Sequence, residues 1–509
     1  MKTPTKLVAA AVAIGALIAG TSLAAPSEAA TYATVADYDN QKVSWNSCGT
    51  DLYCGQVVVP MNWDKPAGST IRLAVVYHRA KAANPLGSVI FNPGGPGASG
   101  YDYVLQSIDS LGTAKLRQNY NFVGFDPRGV QNSVPAVHCY VPSKGASSAA
   151  MDKFLYGDTG YTLGSPKDLK ATKVALKAFS DACYKRTGAL LAHLDTISTA
   201  KDLDVIRAVM GDSKLNYLGY SYGTFIGVNY AALFPNKVGR MVLDGAVDPT
   251  VPDSQQSLNQ LKGFDLALND YLKDCIANTN KCPFTGSTTA ALAKIKKFLL
   301  GLELKPIATT DGKRKLTVAM ATSGIDMALY SSSYWTYLNS AFQAAFAGDG
   351  TILLRLADFY NDRDKTGAYS SNQTEAFIAT KCMDSRESAS PASMAAQNRR
   401  ILKASPVMGR YWQYGGLACA YWRYPVSKPL QSYAATGSPT IVVVGTTGDP
   451  ATPYEQAVHL AHGVLANAFL VTYQGEGHTA YGQGHACVDT AVDNFFVSGS
   501  LPATEPMCQ

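Results

Sequence analysis

The sequence predicts an α/β fold built on a mostly parallel sheet, and three observations predict it. Short apolar runs at Ser88 to Phe91, Phe122 to Phe125 and Val238 to Leu243 carry no polar alternation, as strands buried on both faces do. Helical spacing lies between such runs: Leu203, Ile206 and Met210 share a face, with Ser198 or Thr199 as N-cap and Gly211 just past the end. Residues 215–224, Leu-Asn-Tyr-Leu-Gly-Tyr-Ser-Tyr-Gly-Thr, then take a strand into G-x-S-x-G and on into a second helix, Phe225 to Phe234, closed by Pro235 and Asn236. Helix, strand, tight turn, helix, strand is the order of a parallel sheet covered by helices.

The chain begins with Lys2 and Lys6, an apolar run from Leu7 to Ile18, and small residues up to Ala30, the layout of a secretory signal peptide. That run is short for a bilayer span. There is no cysteine near the cleavage region to take a lipid and no second apolar stretch of sufficient length. A secreted, extracellular protein without stable membrane association is expected. Its 509 residues exceed one simple core, and 47% hydrophobic residues suffice to fill a large one. The net charge of +6 is spread along the chain with no basic cluster, so nucleic-acid binding gets no support.

Ten cysteines in an exported chain read as disulfides. Their placement in successive pairs suggests local bridges: Cys48 with Cys54, Cys139 with Cys183, Cys275 with Cys282, Cys382 with Cys419, Cys487 with Cys508. A zinc site would want a C-x-x-C pair, and none occurs, so neither metal nor other cofactor is expected. Asn372-Gln373-Thr374 matches a glycosylation sequon, a three-residue pattern common by chance.

G-x-S-x-G at a strand-to-helix turn makes Ser221 the candidate nucleophile, since the turn presents the hydroxyl while the two glycines let the backbones close in. A serine hydroxyl needs a histidine base, which in turn needs a carboxylate to orient it. In an α/β-hydrolase these follow in the order serine, acid, histidine. Pro439 to Val444 reads as a strand emptying into Gly445-Thr446-Thr447-Gly448-Asp449-Pro450, so Asp449 is the candidate acid. A helix around Tyr454 to His462 and a strand at Phe469 to Tyr473 lead to Gln474-Gly475-Glu476-Gly477-His478. His478 lies 478 − 449 = 29 residues past the acid, one helix and one strand, which returns the chain to the same sheet edge. Asp244 and Asp248 compete with Asp449, and His485 with His478. Oxyanion donors are expected from the Tyr222 N–H and, in the loop Asn92-Pro93-Gly94-Gly95-Pro96-Gly97, from Gly95. That loop lacks the lysine a phosphate-binding loop would carry.

Together these residues resemble secreted tripeptidyl aminopeptidases of actinobacteria, in the prolyl-aminopeptidase branch of the α/β-hydrolases. The resemblance runs over most of the mature chain and includes Asn92 to Gly97, Val123-Gly124-Phe125-Asp126-Pro127-Arg128-Gly129, Leu215 to Thr224, Asp449-Pro450-Ala451-Thr452-Pro453-Tyr454 and Gly477-His478. It implies an α/β-hydrolase fold with a large, mainly helical cap insertion, and catalysis by Ser221, Asp449 and His478. It also implies a C-terminal third typical of the secreted subgroup, carrying Lys381-Cys382-Met383-Asp384 and Cys419-Ala420-Tyr421-Trp422. Two departures, Gly129-Val130-Gln131 and Trp422-Arg423-Tyr424-Pro425, bear on substrate preference and not on the triad. Asp126 and Arg128 read as an internal ion pair bracing two loops.

The expected organisation is a signal peptide over 1–30, the first part of the core over 31–250, a cap over 251–434 and the rest of the core over 435–509. Runs such as Ala290 to Leu300 and Tyr334 to Ala347 have helical spacing, which suits a helical cap. The function expected is a serine exopeptidase that releases short peptides, such as tripeptides, from substrates with a free N-terminus. A carboxylate suits the ammonium of such a substrate. The cap offers Asp326, Glu375, Asp384 and Glu387, of which Glu375 and Asp384 rank first because a Cys382–Cys419 bridge would fix their loop. A carboxylesterase or lipase would use the same triad, and a non-catalytic binding protein would need none of it.

Overall fold

The computed structural model describes residues 32–140, 149–157, 160–278 and 281–509; the expected signal peptide lies outside these residues. Among the described residues ten strands form one sheet: β1 Asn46–Gly49, β2 Leu52–Pro60, β3 Thr70–His78, β4 Ser88–Asn92, β5 Asn121–Phe125, β6 Leu215–Tyr220, β7 Val238–Asp244, β8 Ile441–Gly448, β9 Ala468–Glu476 and β10 Met507–Cys508. Their order is β1-β2-β3-β5-β4-β6-β7-β8-β9-β10. The first three strands and the β3–β5 pairing are antiparallel, and every pairing from β5–β4 onward is parallel. This is the α/β-hydrolase sheet.

The unalternating runs are explained by burial on both faces. Successive residues of each central strand enter different cores: Ile90, Tyr217, Leu243 and Val443 join one cluster, and Phe91, Leu218, Val242 and Val442 the other. Side chains alternate across a sheet, so a strand covered by helices on both sides must be apolar throughout.

Four boundaries differ from the sequence reading. Strands β1 to β3 are not legible as buried runs, because Thr70 and Arg72 of β3 face solvent. The helix before the nucleophile spans Thr196–Val209 with Asp195 as N-cap, whose carboxylate accepts from the Ser198 N–H (2.9 Å) and hydroxyl (2.8 Å). Ser198 therefore serves the cap as a donor. The helix after Ser221 starts at once, over Tyr222–Leu233. Finally, Gly445 to Gly448 belong to β8 and Gln474 to Glu476 to β9, because these segments pair with each other at Thr446–Tyr473 and Gly448–Glu476.

Between β7 and β8 the described residues form seven α-helices: Asp253–Asn278, Thr288–Leu304, Val318–Leu329, Trp335–Phe346, Thr351–Tyr360, Gln373–Asp384 and Pro391–Ala404. Leu261, Ile295, Ile325, Leu338 and Leu353 give them a hydrophobic core of their own. Tyr156, from the segment before β6, enters the same core and donates from its hydroxyl to the Ala357 carbonyl (3.0 Å). The C-terminal part of the insertion packs instead on the sheet's core through Ala379, Cys382, Cys419 and Trp422. All five disulfides join the pairs read from the sequence. The sequon asparagine is buried: Asn372 donates from Nδ2 to the Gly129 and Val137 carbonyls, both at 2.9 Å, so its amide is occupied in the folded protein.

The brace read into Asp126 and Arg128 exists with different partners. Arg128 forms a two-pronged bond to Asp202, Nε to Oδ2 at 2.7 Å and Nη2 to Oδ1 at 2.5 Å, and donates to the Met61, His193 and Pro60 carbonyls. Asp126 instead accepts from Ser99 Oγ (2.5 Å) and from the N–H and side chain of Asn132. Both ionic side chains of the Arg128–Asp202 pair are fully buried. Removing one partner strands the other charge, at a cost of about 3–5 kcal/mol. Arg128→Ala is expected to lower unfolding free energy by about that amount in urea denaturation; a loss below about 1 kcal/mol would show that Asp202 is solvated or neutral in the variant.

Candidate active site

Ser221 follows the last residue of β6 and has φ +54° and ψ −126°, a strained conformation of the kind found at functional sites. The flanking glycines make it possible. A Cβ on Gly219 would lie 2.6 Å from the Gly223 carbonyl oxygen, and one on Gly223 would lie 2.6 Å from the Asn92 carbonyl oxygen. The Ser221 N–H donates to the Asp244 carbonyl at 2.9 Å, which ties the turn to β7.

The Asn92–Gly97 loop starts beside the nucleophile because Asn92 is the register partner of Gly219. Asn92 Oδ1 accepts from the Gly94 N–H at 2.9 Å. A Cβ on Gly94 would meet Ser221 Cβ at 2.8 Å and the Tyr222 nitrogen at 3.1 Å. Backbone thus reaches the serine where any side chain would block it. Gly95, Ser221 and Tyr222 line one pocket of about 400 Å³, together with Asp248, Asp253, Lys381, Asp384 and Thr452.

Asp449 and His478 meet at the carboxyl ends of β8 and β9. His478 Nδ1 lies 2.9 Å from both Asp449 oxygens. The carboxylate also accepts from the N–H groups of Ala451 (2.8 Å) and Thr452 (2.9 Å) and from the Thr452 hydroxyl (3.0 Å). Positive φ at Gly477 and Thr479 turns the chain sharply on either side of the histidine. The His478 N–H donates to the Tyr330 carbonyl of the insertion at 2.8 Å, and the Tyr330 ring stands edge-on to the imidazole at 5.5 Å. The other ring nitrogen, Nε2, is buried and has no hydrogen-bond partner among the described residues. Its neighbour Cε1 would lie 3.1 Å from a Cβ on Gly245, the residue after the one that binds the Ser221 N–H. Burial alone would make His478 more acidic, but the Asp449 charge and hydrogen bond, with a smaller contribution from Asp244, raise its pKa overall.

The competing residues have other partners. Asp244 is fully buried and accepts from the Ala480 and Tyr481 N–H groups; burial pushes its pKa up to about 7. Asp248 pairs with His459 Nδ1 at 2.5 Å and accepts from Thr250. His485 stacks on Tyr473 at 3.8 Å. The two acids ranked first for a substrate ammonium are both engaged. Glu375 is buried away from the pocket and accepts from the Cys139 and Tyr140 N–H groups at 2.9 and 2.6 Å. Asp384 reaches the pocket, but its two oxygens accept from the Thr196 N–H (2.7 Å) and hydroxyl (2.6 Å), and the Thr196 hydroxyl meets that of Tyr222. Sequence reasoning missed Thr452 and Tyr330. Thr452 stands three residues past the acid, the spacing of a side-chain cap and therefore a usable signal; Tyr330 leaves none.

Residues 405–508 match the family model described as TAP-like protein. Over 489 residues the chain is 35% identical to the serine protease Hip1 of Mycobacterium tuberculosis, an alignment covering 92% of this chain and 91% of the relative. The chain belongs to the tripeptidyl-aminopeptidase family of α/β-hydrolases. Within that family it is 32% identical over 479 residues to the tripeptidyl aminopeptidase of Streptomyces coelicolor, covering 92% of this chain and 86% of the relative. It is 37% identical over 480 residues to carboxylesterase B of Mycobacterium tuberculosis, covering 91% and 89% respectively. Membership makes the protein a serine hydrolase, and the names of its relatives divide between peptidase and esterase.

The raised pKa of His478 has a definite sign. The folded ring keeps its proton to higher pH than a free imidazole, so the pair's contribution to stability is full below about pH 6.5 and is lost as pH rises through the folded value. Asp449→Asn removes the charge and leaves burial, which favours the neutral ring. The His478 resonances are expected to titrate above pH 6.5 in the wild type and below it in the variant. An NMR titration giving the same midpoint in both would show that Asp449 is not the source.

Proposed function

We propose that the protein is a secreted serine exopeptidase that removes short peptides, such as tripeptides, from substrates with a free N-terminus. The observation that carries the proposal is the Asp449–His478 pair, in which the carboxylate holds Nδ1 at 2.9 Å and leaves Nε2 without a hydrogen-bond partner among the described residues. Five disulfides suit an oxidising compartment, and no helix among the described residues is long and apolar enough to cross a membrane.

In the proposed reaction His478 accepts the Ser221 proton as the oxygen attacks the peptide carbonyl, and Asp449 holds the imidazole in the tautomer that leaves Nε2 free to accept. Negative charge develops on the carbonyl oxygen, for which the Tyr222 and Gly95 N–H groups are the donors. His478 then protonates the leaving amine, and water, deprotonated by the same ring, releases the acyl group from Ser221. The bond from Tyr222 through Thr196 to Asp384 holds the oxyanion residue's side chain from the insertion.

An esterase reading is favoured by one relative's name and by a mechanism common to both bond types. Assays on peptidyl amides and fatty-acyl esters in parallel separate the two, and mass spectrometry of products from an unblocked peptide library reads the length released. Ser221→Ala is expected to lower kcat by about 10⁶-fold, with an unchanged thermal midpoint and loss of fluorophosphonate labelling. Turnover at the wild-type rate in that variant would remove Ser221 from the mechanism.

A further inference from the structure

The pocket that opens at Ser221 is lined by Asp248, Asp253, Lys381 and Asp384, and two of these charges are already engaged. Asp248 is bound by His459 and Thr250, and Asp384 by Thr196. Asp253 and Lys381 have only each other. Lys381 Nζ stands 3.5 Å from Asp253 Oδ1, and neither side chain has a closer polar partner among the described residues. The one longer ion pair among those residues, Arg363 with Asp358 at 3.9 Å, joins side chains that have closer partners in Asp152 and Arg314. The two side chains of the loose pair are 34% (Lys381) and 14% (Asp253) exposed. An ammonium offers about three donors and a carboxylate about four acceptor sites, so a pair held this way keeps unused hydrogen-bonding capacity inside the pocket. Its position is fixed: Asp253 opens the helix Asp253–Asn278, and Lys381 sits in the last turn of Gln373–Asp384, beside the Cys382–Cys419 bridge. Each charge lies at the helix end that favours it.

The pair is neutral as a whole, and the walls around it include Phe225, Val251, Phe377 and Pro429. A charged side chain entering here would be attracted by one member, opposed by the other, and stripped of water by apolar neighbours. A purely apolar one would leave both members short of partners. A carboxamide supplies what each lacks, an oxygen that accepts from Lys381 and an N–H that donates to Asp253, and brings no charge. The pocket's place in the reaction follows from its lining. Gly95, Ser221 and Tyr222 belong to it and His478 does not. The leaving amine departs towards the ring that protonates it, so a pocket that shares the nucleophile and the oxyanion residues without the base lies on the acyl side.

We propose that this pocket takes the side chain of the residue whose carbonyl is attacked, and that Lys381 and Asp253 together select a carboxamide there, glutamine or asparagine. The proposal rests on the exopeptidase reading above and adds the class of peptide that the site prefers.

The test is kcat/KM for tripeptidyl amides that differ only in the third residue, glutamine, methionine, glutamate or lysine, in wild type, Lys381→Met and Asp253→Asn. Wild type is expected to favour glutamine over each of the others by at least about tenfold. Lys381→Met leaves Asp253 alone, and the lysine peptide is expected to gain about tenfold on glutamine; Asp253→Asn leaves Lys381 alone, and the glutamate peptide gains likewise. A merely structural pair could not move the two variants in opposite directions. Wild-type values for glutamine and methionine within about threefold overturn the carboxamide assignment, as does a glutamine preference that survives in both variants. A loss common to all the peptides, with their ratios kept, means that the pair serves the fold or the substrate backbone, and overturns it too. The same series with acetylated N-termini keeps the two readings apart. Equal rates with and without the acetyl group overturn the exopeptidase reading, while a glutamine preference within each series upholds the pocket. Cleavage of fatty-acyl esters and of no peptide overturns both. Should one variant fail to fold, absence of the expected gain in the other counts equally against the pair.

Discussion

The close approach of three backbones at Ser221 is the constraint on which the site depends. Strand β6, the helix that follows it and the loop after β4 come so near one another that Gly219, Gly223 and Gly94 have room for hydrogen only. Strain at the serine, of order 1–3 kcal/mol for such a conformation, is held by the Asp244 carbonyl on one side and the new helix on the other. Everything chemical at the site is placed relative to this point. The Tyr222 N–H follows from the first residue of the helix, and the Gly94–Gly95 backbone arrives because β4 is β6's neighbour.

The parallel sheet supplies the rest of the geometry. Ser221, Asp449 and His478 each follow the carboxyl end of a strand, so residues far apart in the chain arrive at one rim, where ligands of open α/β sheets bind. Asp244 links two of them, binding the Ser221 N–H with its carbonyl and the loop after His478 with its carboxylate. The helical insertion is also more than a cover. Tyr330 fixes the backbone of His478, and Asp384 acts through Thr196 on Tyr222, so the insertion touches both the base and the oxyanion residue.

Much of this was legible in the sequence for local reasons. Buried strands must be apolar on both sides, as at Ser88 to Phe91, and the turn at Ser221 needs glycine on either side. Cysteines close in sequence, such as Cys275 and Cys282, have a short loop to close. What failed was legible only through pairing. The run Gly445 to Gly448 has loop composition but is strand because β9 lies alongside it. Arg128 looked suited to Asp126, two residues away, yet its fork meets Asp202 on the helix Thr196–Val209. Glu375 ranks for a substrate ammonium by its place on a loop fixed by the Cys382–Cys419 bridge, yet its Oε1 accepts from the backbone of Cys139 and Tyr140.

The sequence by itself determined the sheet-and-helix class, the disulfide pairs and the candidates for nucleophile, acid and base, because each rests on a local rule of periodicity, spacing or turn chemistry. Only the tertiary structure decided which acidic side chains already have partners. A carboxylate's role depends on whether donors surround it, and those donors come from segments far away in the chain: Thr196 for Asp384, the Ala480 and Tyr481 backbone for Asp244, and for one oxygen of Asp326 none among the described residues.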